Sequence, residues 1–203
     1  MNNNGLYSFL GRFYDILDHP SELLHYRPMR KKWIVPLRNE KILEVGVGTG
    51  KNLPYYHHTN EVVGLDREKN MLMHAIHRIK NKKVKANVKL TLQKSVPWKL
   101  SKTQFSQIVA TFVFCTMDNP TQVLTELSKW VEEGTKLLIF EYIRPSNTKM
   151  QYIVNMVNPL TTKLFGVNFD RKPTHQYFDD KWRIIRRTDI VKDFIIVIEA
   201  VRT

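Results

Sequence analysis

From Lys41 onward the chain alternates short apolar β-type runs with segments of helical periodicity, and few folds accept that order. The runs are Lys41–Val45, Glu61–Leu65, Val88–Leu92, Gln107–Phe112 and Lys136–Tyr142. Helical patterns lie between them around Lys51–Tyr56, Glu68–Lys80 and Pro120–Glu132, the last stopped by Gly134. Strands joined through helices pair in parallel by right-handed crossovers. The predicted core is therefore a parallel, doubly wound sheet with helices on both faces. A further helix is expected near Lys149–Phe165, then two β-type runs, Lys181–Arg187 and Asp193–Val201. Only a tight turn's worth of residues separates those two, so they should pair antiparallel. The expected fold class is α/β: seven strands, five parallel and two in a C-terminal antiparallel hairpin.

Ahead of this core, Leu6, Phe9, Leu10, Phe13, Ile16 and Leu17 recur at helical spacing, which predicts an amphipathic helix over Leu6–Leu17. A second short helix is predicted near Met29–Leu37. The 203 residues contain no repeat and no long Gly/Ser linker, so one domain is expected, with a helical cap over 1–39, a core over 40–142 and a last segment over 143–203. The longest nearly unbroken apolar run, Ile108–Cys115, is too short to cross a bilayer. Met1–Asn4 has none of the basic-then-apolar order of a secretory signal, and the single cysteine, Cys115, has no internal partner for a disulfide. No Cys/His cluster has zinc spacing. A reducing cytoplasm fits these features.

Charge bears on partners. The formal net charge is +13, which favours anionic partners such as nucleic acid or acidic lipid, or serves solubility alone. Arg78, Lys80, Lys82, Lys83, Lys85, Lys89 and Lys94 form a run without an acid. Arg27, Arg30, Lys31 and Lys32 form a second cluster, and Arg183, Arg186 and Arg187 a third.

The first β-type run leads into Glu44-Val45-Gly46-Val47-Gly48-Thr49-Gly50. In open α/β sheets ligands sit beyond the carboxyl ends of the strands. Glycines there adopt backbone angles that other residues resist, and they let a ligand approach the main chain. A dinucleotide fingerprint would need a glycine at position 51, where the chain has Lys51. A ligand without a pyrophosphate is expected instead. Asp66 ends the second run about 20 residues on, the place from which a carboxylate accepts hydrogen bonds from ribose hydroxyls. Glu44 adds a second carboxylate, unfavourable to phosphate and compatible with a cationic amino-acid end.

These residues carry a resemblance. LEVGVGTG followed by VVGLD is similar to the first motif and acidic partner of class I S-adenosylmethionine-dependent methyltransferases, over roughly residues 40 to 142. The resemblance implies a Rossmann-like sheet and S-adenosylmethionine as cofactor. It places the cofactor at Gly46, Gly48, Gly50 and Asp66, with Glu44 supporting the turn. Ser95, Val96 and Thr111 join the cofactor side; Gln93-Lys94-Ser95-Val96-Pro97-Trp98 lacks the acid that the family often carries there. Phe13-Tyr14-Asp15 resembles a signature of ubiquinone/menaquinone-type and phospholipid-amine methyltransferases, whose tyrosine reaches over the methionine end. Val113-Phe114-Cys115-Thr116-Met117 and Gly166-Val167-Asn168-Phe169-Asp170-Arg171 resemble phospholipid N-methyltransferases and small thiol methyltransferases.

Methyl transfer from a sulfonium asks the protein mainly to align donor and acceptor and exclude water, with no metal. Tyr14 and Tyr142 are the candidate catalytic residues, and a core aromatic is the competing reading for Tyr14. Asn168 and Arg171 are the candidate acceptor-side residues. Cys115 reads as a buried small hydrophobe rather than a nucleophile, and His57 and His58 as exposed loop residues. The expected acceptor is a small or lipid-like molecule, a phospholipid amine first. An amphipathic first helix beside basic residues suits peripheral contact with an anionic membrane. The alternatives are a small lipophilic thiol, RNA through the Arg78–Lys94 run, and a cofactor-binding module without turnover. Nucleic acid is the less favoured partner: Asp118-Asn119-Pro120-Thr121 lacks the second proline and aromatic of a base-gripping motif.

Overall fold

The computed structural model describes residues 22–81, 84–98, 100, 105–170, 177–191 and 194–203. Among them are seven strands: β1 Lys41–Val45, β2 Glu61–Asp66, β3 Asn87–Leu92, β4 Phe105–Thr111, β5 Val131–Tyr142, β6 Trp182–Val191 and β7 Ile195–Arg202. They make one sheet in the order β3-β2-β1-β4-β5-β7-β6. β2 pairs parallel with β1 and β3, and β4 with β5, whereas β7 pairs antiparallel with both β5 and β6. The expected parallel sheet and closing hairpin are both present. The described residues fall into two compact units, one ending at Ser95 and one starting at Val96.

In the first unit β1 is buried from Ile42 to Val45, as a parallel strand covered on both faces must be. Helix α1, Arg27–Trp33, follows a π-helical turn over Glu22–Tyr26. It begins earlier than the periodicity predicts because Pro28 suits a first helical turn. It ends at Trp33, short of the predicted Leu37, since Val35 precedes Pro36 and such residues disfavour the helical region. Helix α2, Lys69–Lys80, matches its pattern and buries Leu72 and Ala75. The predicted helix over Lys51–Tyr56 is corrected to a single 3-10 turn, Leu53–Tyr55. It carries Pro54 in its first turn and is followed by extended Tyr56, which leaves room for no more.

In the second unit α3, Pro120–Leu127, is capped by Asn119, whose side chain accepts from the Gln122 N–H. It stops well before Glu132, and β5 starts at Val131 rather than Lys136. Gly134, read as a helix stop, instead lies inside β5 with φ +86, where the β4/β5 register jumps from Phe105↔Val131 to Gln107↔Lys136. A glycine at an irregular point of a strand is the physical alternative to a helix terminus. Helix α4, Thr148–Phe165, starts on Asn147, which accepts from Lys149 and Met150 N–H, and ends on left-handed Gly166. Leu137, Ile139, Ile196 and Ile198 are fully buried and form the centre of this unit's core.

Candidate functional site

The first unit shapes its site at the end of β1. Gly46, Gly48 and Gly50 have φ of +68, +55 and +77, conformations that disfavour any side chain. The Val47 N–H donates to Leu65 O at 2.9 Å, and Gly50 N–H to Val47 O at 2.9 Å. Asp66 holds the turn from β2: one carboxylate oxygen accepts from Gly48 N–H at 2.8 Å and the other from Glu68 N–H at 2.9 Å. Burial raises the Asp66 carboxyl above its ordinary range, against the opposing pull of those two N–H groups. Each oxygen keeps acceptor capacity for a ligand hydroxyl. From α2, Arg78 Nε donates to Thr49 O at 3.0 Å. This member of the long basic run therefore braces the turn.

A Cβ at Gly50 would sit 2.8 Å from Leu53 Cδ1 and 3.2 Å from the Ala75 Cβ. Gly50→Ala is expected to cost about 2–4 kcal/mol, from the left-handed backbone and the overpacking together. Denaturant unfolding at equilibrium checks it; a loss below about 0.5 kcal/mol would mean that the turn relaxes freely.

Beneath the turn lies a polar network that the periodicity did not announce. Glu44 is buried, and its carboxylate accepts from Asn52 Nδ2 at 2.8 Å. Asn52 Oδ1 in turn accepts from Arg30 Nε at 2.6 Å, and Arg30 pairs with Glu22. Arg30 is itself buried on α1. Arg30, counted with the basic cluster Arg27, Lys31 and Lys32, is thus turned inward: a buried guanidinium needs partners, and it has Glu22 and Asn52. The Tyr56 hydroxyl and the second Glu44 oxygen feel one another electrostatically, yet neither closes a hydrogen bond of normal length. Burial raises Glu44 to about 7, with Asn52, Tyr56 and Arg30 acting against the rise.

The second unit holds a different carboxylate. Glu141, near the end of β5, is fully buried. Its oxygens accept from Cys115 N–H at 3.0 Å and from Tyr142 N–H at 2.9 Å. It thus fixes the 3-10 turn Phe114–Thr116 that follows β4. Phe112 enters that segment in the left-handed region, φ +53, with its N–H on Phe140 O at 2.8 Å. Cys115 is buried, as expected of a small hydrophobe.

Burial raises Glu141 to about 7, more than its hydrogen bonds lower it. The folded protein therefore keeps this proton to higher pH than the unfolded chain. Its contribution to stability is fully present below the ordinary carboxyl pKa of 4.5 and is lost as pH rises through about 7. The thermal midpoint of the wild type, relative to that of Glu141→Gln, should fall between pH 5 and pH 8. A difference that is flat with pH would refute the assignment.

Thr111 closes β4 and is half-buried. Tyr142 is buried among Phe112, Phe169 and Phe194, with ring centroids 4.7, 4.9 and 5.4 Å away. Asn168 is drawn into local structure: its N–H donates to Cys115 O at 3.1 Å, and its side-chain oxygen accepts from Asn158 Nδ2 at 3.1 Å and Asp170 N–H at 2.8 Å. Ser95 is exposed at the end of the first unit, and Val96 is half-buried at the start of the second. Tyr14, Arg171 and the predicted helix over Leu6–Leu17 lie outside the described residues. The structure adds Arg30, Asn52, Arg78 and Glu141 to the residues that shape these two regions. Glu141 adjoins the singled-out Tyr142, and Arg30 had a sequence signal only as a cation at an otherwise apolar helix position.

Comparison with known proteins agrees with this geometry. A family model described as a methyltransferase domain matches residues 43–139. Phosphatidylethanolamine N-methyltransferase of Cereibacter sphaeroides is 28% identical over 108 residues, 53% of this chain and 53% of that protein. The match thus spans about half the length of that curated relative. Demethylmenaquinone methyltransferase of Bacteroides fragilis is 19% identical over 189 residues, 90% of this chain and 77% of that one. Among solved structures, a SAM dependent methyltransferase from Aquifex aeolicus superposes with TM-score 0.66 at 18% identity, covering 95% of this chain and 98% of its own.

Proposed function

We propose that the chain, which a methyltransferase-domain model matches over residues 43–139, is a class I S-adenosylmethionine-dependent methyltransferase, and that it methylates a small or lipid-like acceptor, specifically the amine of a phospholipid. The first unit fits that cofactor. A Cβ at Gly48 would meet only Gly46 O at 3.9 Å, so the turn is open there. Two carboxylates stand by the turn, Asp66, which accepts from Gly48 N–H, and Glu44, buried beneath it; both suit hydroxyl or cationic groups better than phosphate. When bound, the cofactor supplies a methyl group on a sulfonium already activated for displacement. Asp66 would hold the ribose hydroxyls, and Gly46, Gly48 and Gly50 would line the sugar and amino-acid portion. Glu44 would act from below by fixing the turn. Ser95, exposed at the end of the same unit, would extend the cofactor side.

Tyr14, Tyr142, Asn168 and Arg171 would be the acceptor-side residues. Tyr142 and Asn168 would serve as wall and scaffold, given their aromatic and hydrogen-bonded surroundings. An amine nucleophile must be neutral to attack, and enclosure that excludes water favours its neutral form. The observation that carries the acceptor class is the similarity to a relative named for phosphatidylethanolamine, joined by one named for demethylmenaquinone, both lipophilic molecules.

The test is turnover with isotope-labelled S-adenosylmethionine on dispersed phosphatidylethanolamine, beside a thiol panel and RNA, with products read by mass spectrometry. Labelled N-methylated lipid is the expected product. Label in a thiol or in RNA alone would overturn the acceptor. Absence of any calorimetric signal with S-adenosylhomocysteine would overturn the cofactor reading as well.

A further inference from the structure

Helix α4 turns much of its apolar surface outward. Its less exposed seam carries Gln151, Val154, Val157, Asn158 and Thr161, and only Val154 among them is fully buried. Polar bonds hold the seam: Gln151 Nε2 donates to Pro145 O at 2.9 Å, and Asn158 Oδ1 accepts from Phe169 N–H at 2.8 Å. The apolar stripe points outward. Tyr152, Met156 and Leu160 are 74%, 67% and 61% exposed, with Ile153 at 47%. They recur at i, i+3/i+4 and i+7/i+8 and so form one continuous face. A contiguous exposed apolar face on a helix marks a surface that is covered in use.

The charges on that face select what covers it. Lys149 and Lys163 are exposed near the two ends of the same stripe, and Thr148–Phe165 contains no Asp or Glu. A second copy packed on this face by twofold symmetry would bring lysines together with no acid on the helix to meet them. No described helix is long and apolar enough to cross a membrane. The helix, about 27 Å long at the standard rise, can lie in the plane of an interface. There its apolar side chains would enter the acyl boundary and its lysines would reach the headgroup phosphates. We propose that the outward face of α4 docks this protein, with its net charge of +13, on the surface of a bilayer containing anionic lipid. The inference deepens the lipid-acceptor reading and rests on it only for its purpose, since docking needs no turnover.

The experiment is co-sedimentation of the full chain with phosphatidylcholine vesicles with and without phosphatidylglycerol, neither of which offers a primary amine. Binding is expected only to the anionic vesicles and should weaken as salt rises. Replacing Tyr152, Met156 and Leu160 by serine together should weaken binding roughly tenfold or more, with the thermal midpoint kept as a check on folding. Lys149→Glu with Lys163→Glu should weaken it too and flatten its salt dependence. No binding at low salt, or binding unchanged in both variants, would overturn the proposal. So would a wild-type dimer in light scattering that the serine variant turns into a monomer. Docking without methylation of phosphatidylethanolamine would sink the acceptor reading alone. Methylation of detergent-dispersed lipid without docking would sink this one alone.

Discussion

Arg30→Met is expected to lower the thermal midpoint by roughly 6–20 °C. The substitution keeps most of the buried volume on α1 and removes the guanidinium that Asn52 and Glu22 engage. Breaking a buried pair from one side costs about 3–5 kcal/mol, and each kcal/mol is worth about 2–4 °C in a protein of this size. Glu44 can escape part of that cost by staying protonated, because burial already raises it to about 7. The loss should therefore be larger at pH 8 than at pH 6, and Arg30→Met combined with Glu44→Gln should recover some of it. Scanning calorimetry at the two pH values reads all three quantities. An unchanged midpoint would show that the network contributes nothing net.

Asp66→Ala is expected to weaken S-adenosylhomocysteine binding roughly 10²- to 10⁴-fold, since hydrogen bonds to a charged group are worth about 1.5–3 kcal/mol each and two ribose hydroxyls would lose their acceptor. The Gly48 and Glu68 N–H groups also lose theirs, so some disorder of the turn is part of the effect. Asp66→Asn separates the two contributions by keeping shape and an acceptor while removing charge, and should fall between wild type and alanine. Isothermal titration measures each. If alanine binds within threefold of wild type, the ribose lies elsewhere.

Much of the sheet was legible because parallel strands buried on both faces must read as apolar runs, as Ile42–Val45 and Leu137–Phe140 do. The glycine turn was legible because left-handed angles at three positions so close together leave little choice but glycine. Other features depend on partners far along the chain. Arg30 looks like one more surface cation until Asn52, 22 residues away, is folded against it. Arg78 belongs to a basic run by composition and to the turn by its bond to Thr49. Gly134 stops a helix in one context and kinks a strand in another, and only the pairing with β4 decides. Glu141 is one acid among apolar neighbours in sequence. Its role comes from the Cys115 N–H that the strand crossover brings to it.

The hairpin has a consequence in time. β6 is synthesised before β7, yet its pairing in the sheet is with β7, which in turn lies against β5. When β6 has emerged it has no neighbour to join, and the edge of β5 formed by Leu137–Tyr142 stays open until β7 occupies it. A strand end buried from Leu137 to Tyr142 is thus the one whose hydrogen-bonding edge waits for β7. Such an edge is a template for unwanted pairing between chains. In cell-free synthesis, chains halted before Ile195 should aggregate more than full-length chains, and added peptide Ile195–Arg202 should compete for the β5 edge during that interval.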